Sequence, residues 1–132
     1  MPVRREQSTE EARVRIVRLV GEFDTRDAAA LGERLDAAVS KGPARLVVDL
    51  KGVRFASAAL LGRLLVARAK ARRRGGDLVV SAPSRPVKAV LSVPGLERVL
   101  KVFPGDEEAV RHLLRDQRAS SPWDPRRHEL AG

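Results

Sequence analysis

The segment from Ala44 to Gly76, ARLVVDLKGVRFASAALLGRLLVARAKARRRGG, limits the possible folds of this chain more than any other. Leu46-Val47-Val48-Asp49-Leu50 is an apolar, β-branched run too short for a helix. Gly42-Pro43 precedes it and Lys51-Gly52 follows, so it reads as a central strand covered on both faces. After a short loop, Ser57 stands where a helix cap belongs, with a hydroxyl able to accept from the free N–H groups of the first turn. A helix then runs to Arg74, with Leu60, Leu64, Ala67 and Ala71 on one face, and Gly75-Gly76 stops it.

The neighbouring segments repeat that alternation. Arg13 to Val20 alternates in period two, with Val14 and Ile16 on one side and Val17 and Leu19 on the other, which predicts a strand. Asp24, with Asp27 three residues on, caps a helix that carries Ala28, Leu31, Leu35, Ala38 and Val39 and ends at Gly42-Pro43. Leu78 to Ala82 reads as a second buried strand. Ser84 caps a short helix with Pro86 in its first turn and Val87, Val90 and Leu91 inward. Val99 to Phe103 reads as a last strand of five residues. Acids at 106–108 open a final helix with Ala109, Val110, Leu113 and Leu114 on its core side. The order implies one α/β domain over residues 13–117, a mainly parallel sheet of four to five strands with about four helices. Residues 1–12 read as an amino-terminal arm or edge strand, and residues 118–132 as a disordered basic tail.

Composition excludes several function classes. The 132 residues include no cysteine, which removes disulfides, thiolate nucleophiles and cysteine-ligated metal. No apolar run approaches a membrane span and the first residues lack an apolar leader, so the expectation is a cytoplasmic protein without membrane insertion. The net charge of +9 invites a nucleic-acid reading, but only 3% of residues are aromatic and no groove-reading motif is present, which argues against it. The densest basic cluster lies along the second helix, where Arg63, Lys70 and Arg74 share a ridge. That ridge reads as a solvated face, with partner docking as the alternative.

In this order and spacing, several short runs strongly resemble the STAS domain of bacterial anti-sigma factor antagonists over about residues 13–115. They are Gly21-Glu22-Phe23-Asp24-Thr25, Val47 to Phe55, Leu61-Gly62, Gly75-Gly76-Asp77-Leu78-Val79-Val80, Val87-Lys88-Ala89-Val90-Leu91 and Pro94-Gly95-Leu96. The resemblance implies a regulatory module that binds a kinase-type anti-sigma factor to control sigma-factor availability, and is switched off by phosphorylation of a serine at the start of the second helix. It also admits a STAS-like structural subunit of a transporter ATPase or signalling assembly, and leaves a homodimer open.

This chain departs from the family at the switch. Members that are phosphorylated read Asp-Ser-Ser-Gly-Leu-Gly or Asp-Ser-Thr-Gly-Leu-Gly where this chain has Ser57, Ala58, Ala59, Leu60, Leu61 and Gly62. Ala58 occupies the phosphoacceptor position and has no oxygen to phosphorylate. Ser57 is either a displaced acceptor or only the helix cap. Leu60 either turns inward with Leu64 or enlarges a contact patch with Ala58 and Ala59. The expected partner surface is therefore Asp24, Ser57, Ala58, Ala59 and Leu60.

No other constellation points to catalysis. His112 and His128 make no plausible pair with Ser57, and no phosphate loop or dinucleotide fingerprint appears. Asp49, near the carboxyl end of a central strand, reads as a hydrogen-bonded strand-end acid, with a ligand site as the alternative. No enzyme activity, metal or cofactor is expected.

Overall fold

The computed structural model describes the backbone of residues 5–11 and the whole of residues 13–115; the expected tail lies outside them. Strand β1 (Arg5–Glu11) pairs antiparallel with β2 (Val14–Phe23). Helix α1 (Thr25–Lys41) leads to β3 (Arg45–Ala56), and α2 (Ala58–Arg73) to β4 (Asp77–Ser81). Helix α3 (Arg85–Leu91) and a 3₁₀ turn (Leu96–Arg98) precede β5 (Val102–Phe103), and α4 (Asp106–Arg115) follows. The sheet order is β1-β2-β3-β4-β5, with β2 to β5 mutually parallel.

Period-two alternation in the strands divides the core in two. Val17, Leu19, Leu46, Val48, Leu50, Leu78 and Val80 face α1, α2 and α3, which bring Leu31, Leu35, Leu60, Leu64, Ala67 and Val87. Val14, Ile16, Val47 and Val79 face the other way and are covered by Ala109, Val110 and Leu113 of α4. Three successive crossovers thus stack on one face, and among the described residues only α4 covers the other.

Two expected strands differ in extent. β3 does not stop at Gly52 but runs to Ala56, because β2 follows it through two register shifts, between Arg18 and Val20 and between Gly21 and Glu22. These irregularities break the alternation that would have shown the extension. β5 keeps only Val102 and Phe103: residues 96–98 wind into the 3₁₀ turn, and Leu100 is fully buried ahead of the strand.

The basic ridge of α2 also differs from a solvated face. Lys70 Nζ lies 2.7 Å from Asp36 Oδ2 on α1, Arg74 donates to the Val39 carbonyl, and the Arg63 stem lies over Gly32. The cations staple α2 to α1, and the flexible stem of Arg63 fills the space where a Cβ at position 32 would sit. On the same helix Arg68 and Arg72 reach Asp77 at 3.0 and 3.5 Å. Gly76 lets β4 begin against Ala44: a Cβ there would lie 1.9 Å from the Ala44 carbonyl oxygen, to which Asp77 N donates at 3.0 Å.

Candidate functional site

The amino end of α2 is assembled by one backbone bond between loops. Ser57 N donates to Phe23 O at 3.0 Å, extending the parallel register in which Phe23 faces Ala56. Asp24, the next residue after Phe23, is thereby brought beside the start of α2.

Asp24 caps α1 through a reciprocal box. Its Oδ1 accepts from Asp27 N at 2.9 Å, and Asp27 Oδ2 accepts from Asp24 N at 3.3 Å. The backbone N–H of Asp27 holds the Asp24 carboxyl below its ordinary pKa, the Asp27 side chain and the Arg26 backbone acting in the same direction. Asp24 is exposed, so a fixed negative charge stands at the rim of the site.

Ser57 has the extended backbone of a cap residue, φ −80° and ψ 164°, but makes no side-chain cap. Its Oγ is buried and has no hydrogen-bond partner among the described residues. The amide bond to Phe23 seats the residue in the seam between β2 and β3, and the hydroxyl ends up inside rather than over the helix. Ser84 shows the same substitution of roles: it holds the cap position of α3, but its hydroxyl donates to the Val53 carbonyl. Competition from a nearby backbone carbonyl removes the cap there.

Ala58 is exposed at the first position of α2, and Ala59 is half-buried against the core. Leu60 is 1% exposed and belongs to the core, so its expected place on the partner surface is corrected. The cause is helical spacing: Leu60, Leu64, Ala67 and Ala71 form the inward stripe, and that stripe begins at residue 60. The outward residues are Ala58, Gly62, Val66 and Ala69, and nothing lies within 4 Å of a Cβ placed on Gly62. Phe55, 49% exposed at the end of β3, and Val66, 47% exposed, add apolar surface that sequence reading did not assign to the site. Sequence reading placed Phe55 in the short loop after the central strand. Only the register shift opposite Glu22 turns it out.

The site carries no acid–base pair. His112 lies on α4, its ring tilted 39° against Phe103 at 5.0 Å on the opposite face of the sheet from α2. His128 lies outside the described residues. What the site offers is a small-residue helix end with free N–H groups, a fixed carboxylate and a flanking aromatic.

Comparison with known proteins agrees with this architecture. The curated anti-sigma F factor antagonist of Paenibacillus polymyxa is 27% identical over 101 residues, which is 76% of this chain and 86% of that protein. The crystal structure of an anti-sigma factor antagonist from Mycobacterium paratuberculosis superposes with a TM-score of 0.73 at 22% identity, covering 85% of this chain and 95% of that one. The anti-sigma factor antagonist SpoIIAA in its unphosphorylated form superposes with a TM-score of 0.71 at 19% identity, covering 84% and 97%. The family profile described as "Mlab, STAS domain" matches residues 6–102. With that match spanning most of the folded core and the helix end described above, the chain belongs to the STAS domain family.

Proposed function

We propose that the chain is an anti-sigma factor antagonist that docks a kinase-type anti-sigma factor in the cytoplasm through the amino end of α2, and that its docking is not switched by phosphate. One observation carries the reading. The outward position at the helix start is the methyl group of Ala58, while the only hydroxyl of the loop, Ser57 Oγ, is buried. A kinase active site has no accessible oxygen to reach, and the partner surface stays constant. Asp24, Ser57, Ala58 and Ala59 form its centre, with Phe55, Gly62 and Val66 beside them. No bond is made or broken in this role.

The cations of α2 support a protein partner over nucleic acid, since Lys70, Arg68 and Arg72 are already paired with carboxylates of this chain. A second reading, a structural STAS subunit of a transporter ATPase, would use the same hydroxyl-free surface. The test is incubation with ATP and the cognate anti-sigma kinase, followed by mass spectrometry of the 50–75 segment. The expected result is no stoichiometric phosphate and an intact complex. Phosphate on Ser57 would overturn the unswitched reading. Capture of an ATPase in place of a kinase-type anti-sigma factor would select the second.

A further inference from the structure

The connections that leave β4 and β5 diverge. After Ser81 the chain turns through Ala82-Pro83 toward α3 on the three-helix face. After Phe103 it turns through Pro104-Gly105 toward α4 on the other. Adjacent parallel strands whose connections part to opposite faces leave a crevice outside their carboxyl ends, the place where open α/β sheets bind ligands. A cleft of about 460 Å³ lies there, with Ala82, Pro83 and Lys88 on one wall, Pro104 and Gly105 on the other, and Asp49, Lys51 and Asp106 between. That volume suits a small molecule.

The cleft is rigidly built. Ala82 holds φ +48°, a left-handed conformation unusual for a non-glycine residue, and its N–H donates to Phe103 O at 2.8 Å, tying the two diverging connections together. The acidic floor is already satisfied. Asp106 Oδ1 accepts from Ser81 Oγ at 2.6 Å and Oδ2 from Arg18 Nη2 at 3.2 Å. Asp49 Oδ1 accepts from Lys51 N at 2.9 Å, and Oδ2 lies 3.7 Å from Arg18 Nε. Every carboxylate oxygen in the cleft therefore has a partner within the chain. The ammonium groups of Lys51 and Lys88 have none among the described residues, although other cations of this chain find carboxylates.

We propose that this crevice is a binding site for a small organic anion, its carboxylate or phosphate group held between Lys51 and Lys88. The two lysines balance the two carboxylates that line the cleft, and because Arg18, Ser81 and the Lys51 amide already engage those carboxylates, the ammonium groups are what the cleft offers to a ligand. The site is separate from the α2 helix end and does not depend on the partner reading.

The experiment is an amide-resolved NMR titration of the full chain with malonate and, separately, with inorganic phosphate, at constant ionic strength set by sodium chloride. The expected result is saturable shifts at Lys51, Ala82, Gly105 and Asp106 with at least one of the two anions. Malonate alone would identify a carboxylate ligand and phosphate alone a phosphorylated one. Lys51→Gln combined with Lys88→Gln should weaken binding by about tenfold or more. Both lysines line an open cleft, so this variant keeps its dispersed spectrum, and Lys41→Gln, at the far end of α1, should titrate like the wild type. Shifts reproduced by chloride, unchanged titration of the double variant, or no saturable response to either anion would each overturn the site.

Discussion

Ser57 N donates to Phe23 O at 3.0 Å, and this bond sets both the position of the α2 amino end and the burial of the Ser57 hydroxyl. The anchored residue begins the helix by its backbone alone, so its side chain contributes a buried, unsatisfied oxygen where sequence reasoning expected a cap.

Ser57→Ala should therefore be neutral or stabilising by up to about 1 kcal/mol, since a buried unpaired hydroxyl carries a desolvation cost. Loss of a working cap would instead cost about 1 kcal/mol. Urea denaturation separates the two. A clear drop in midpoint would show that the hydroxyl caps α2 in solution.

Leu60→Ala tests whether Leu60 belongs to the core or to the partner surface. A fully buried leucine truncated at the head of the α2 stripe should cost about 3 kcal/mol. Partner affinity, measured where the variant remains folded, should change little. Loss of affinity without loss of stability would return Leu60 to the docking surface.

The order of strands and helices was legible because α1 and α2 announce themselves by apolar spacing and by Asp24, Gly42-Pro43 and Gly75-Gly76 at their ends. The hidden parts are those decided by tertiary pairing. The extension of β3 past Gly52 depends on bulged register with β2, and the shortness of β5 on the 3₁₀ turn that takes Leu96 and Leu100 into the core. At the site, Ala58 and Asp24 could be placed from the chain alone. The inward Ser57 hydroxyl and the outward Phe55 ring could not, because each follows from which carbonyl or strand lies opposite.

Asp77 is the buried anchor for the basic end of α2. Its side chain, 7% exposed, accepts from Arg68 Nε at 3.0 Å and from Leu78 N at 2.8 Å and lies 3.5 Å from Arg72 Nη1. Asp77→Ala should cost about 2 kcal/mol in chemical denaturation, because two cations and an amide lose their acceptor. Arg72→Ala, whose side chain is half exposed, should cost under about 1 kcal/mol. Equal costs for the two variants would contradict the anchor role of Asp77.

Asp49 gives the chain a pH signature. Burial pushes its carboxyl above the ordinary value, opposed by the Lys51 N–H, while the neighbouring Asp106 carboxyl pushes it up and Arg18 pulls it down. A carboxyl raised by folding binds its proton more tightly in the native state. Its contribution to stability is thus greatest below the unfolded pKa and is lost as pH rises through the folded pKa. Asp49→Asn cannot titrate and keeps an acceptor for Lys51 N, so its stability relative to wild type should improve between about pH 3 and pH 7. A relative stability that is flat or falls with pH would show that Arg18 outweighs burial.

Calorimetric affinity of wild type, Ala58→Ser and Ala58→Glu for the cognate anti-sigma factor tests whether the α2 amino end is the permanently competent partner surface proposed above. Ala58→Ser should bind with little change in affinity when ATP is absent. Ala58→Glu should bind about tenfold or more weakly, because charge and bulk enter a desolvated contact next to Asp24. Binding of Ala58→Glu with wild-type affinity would contradict that surface.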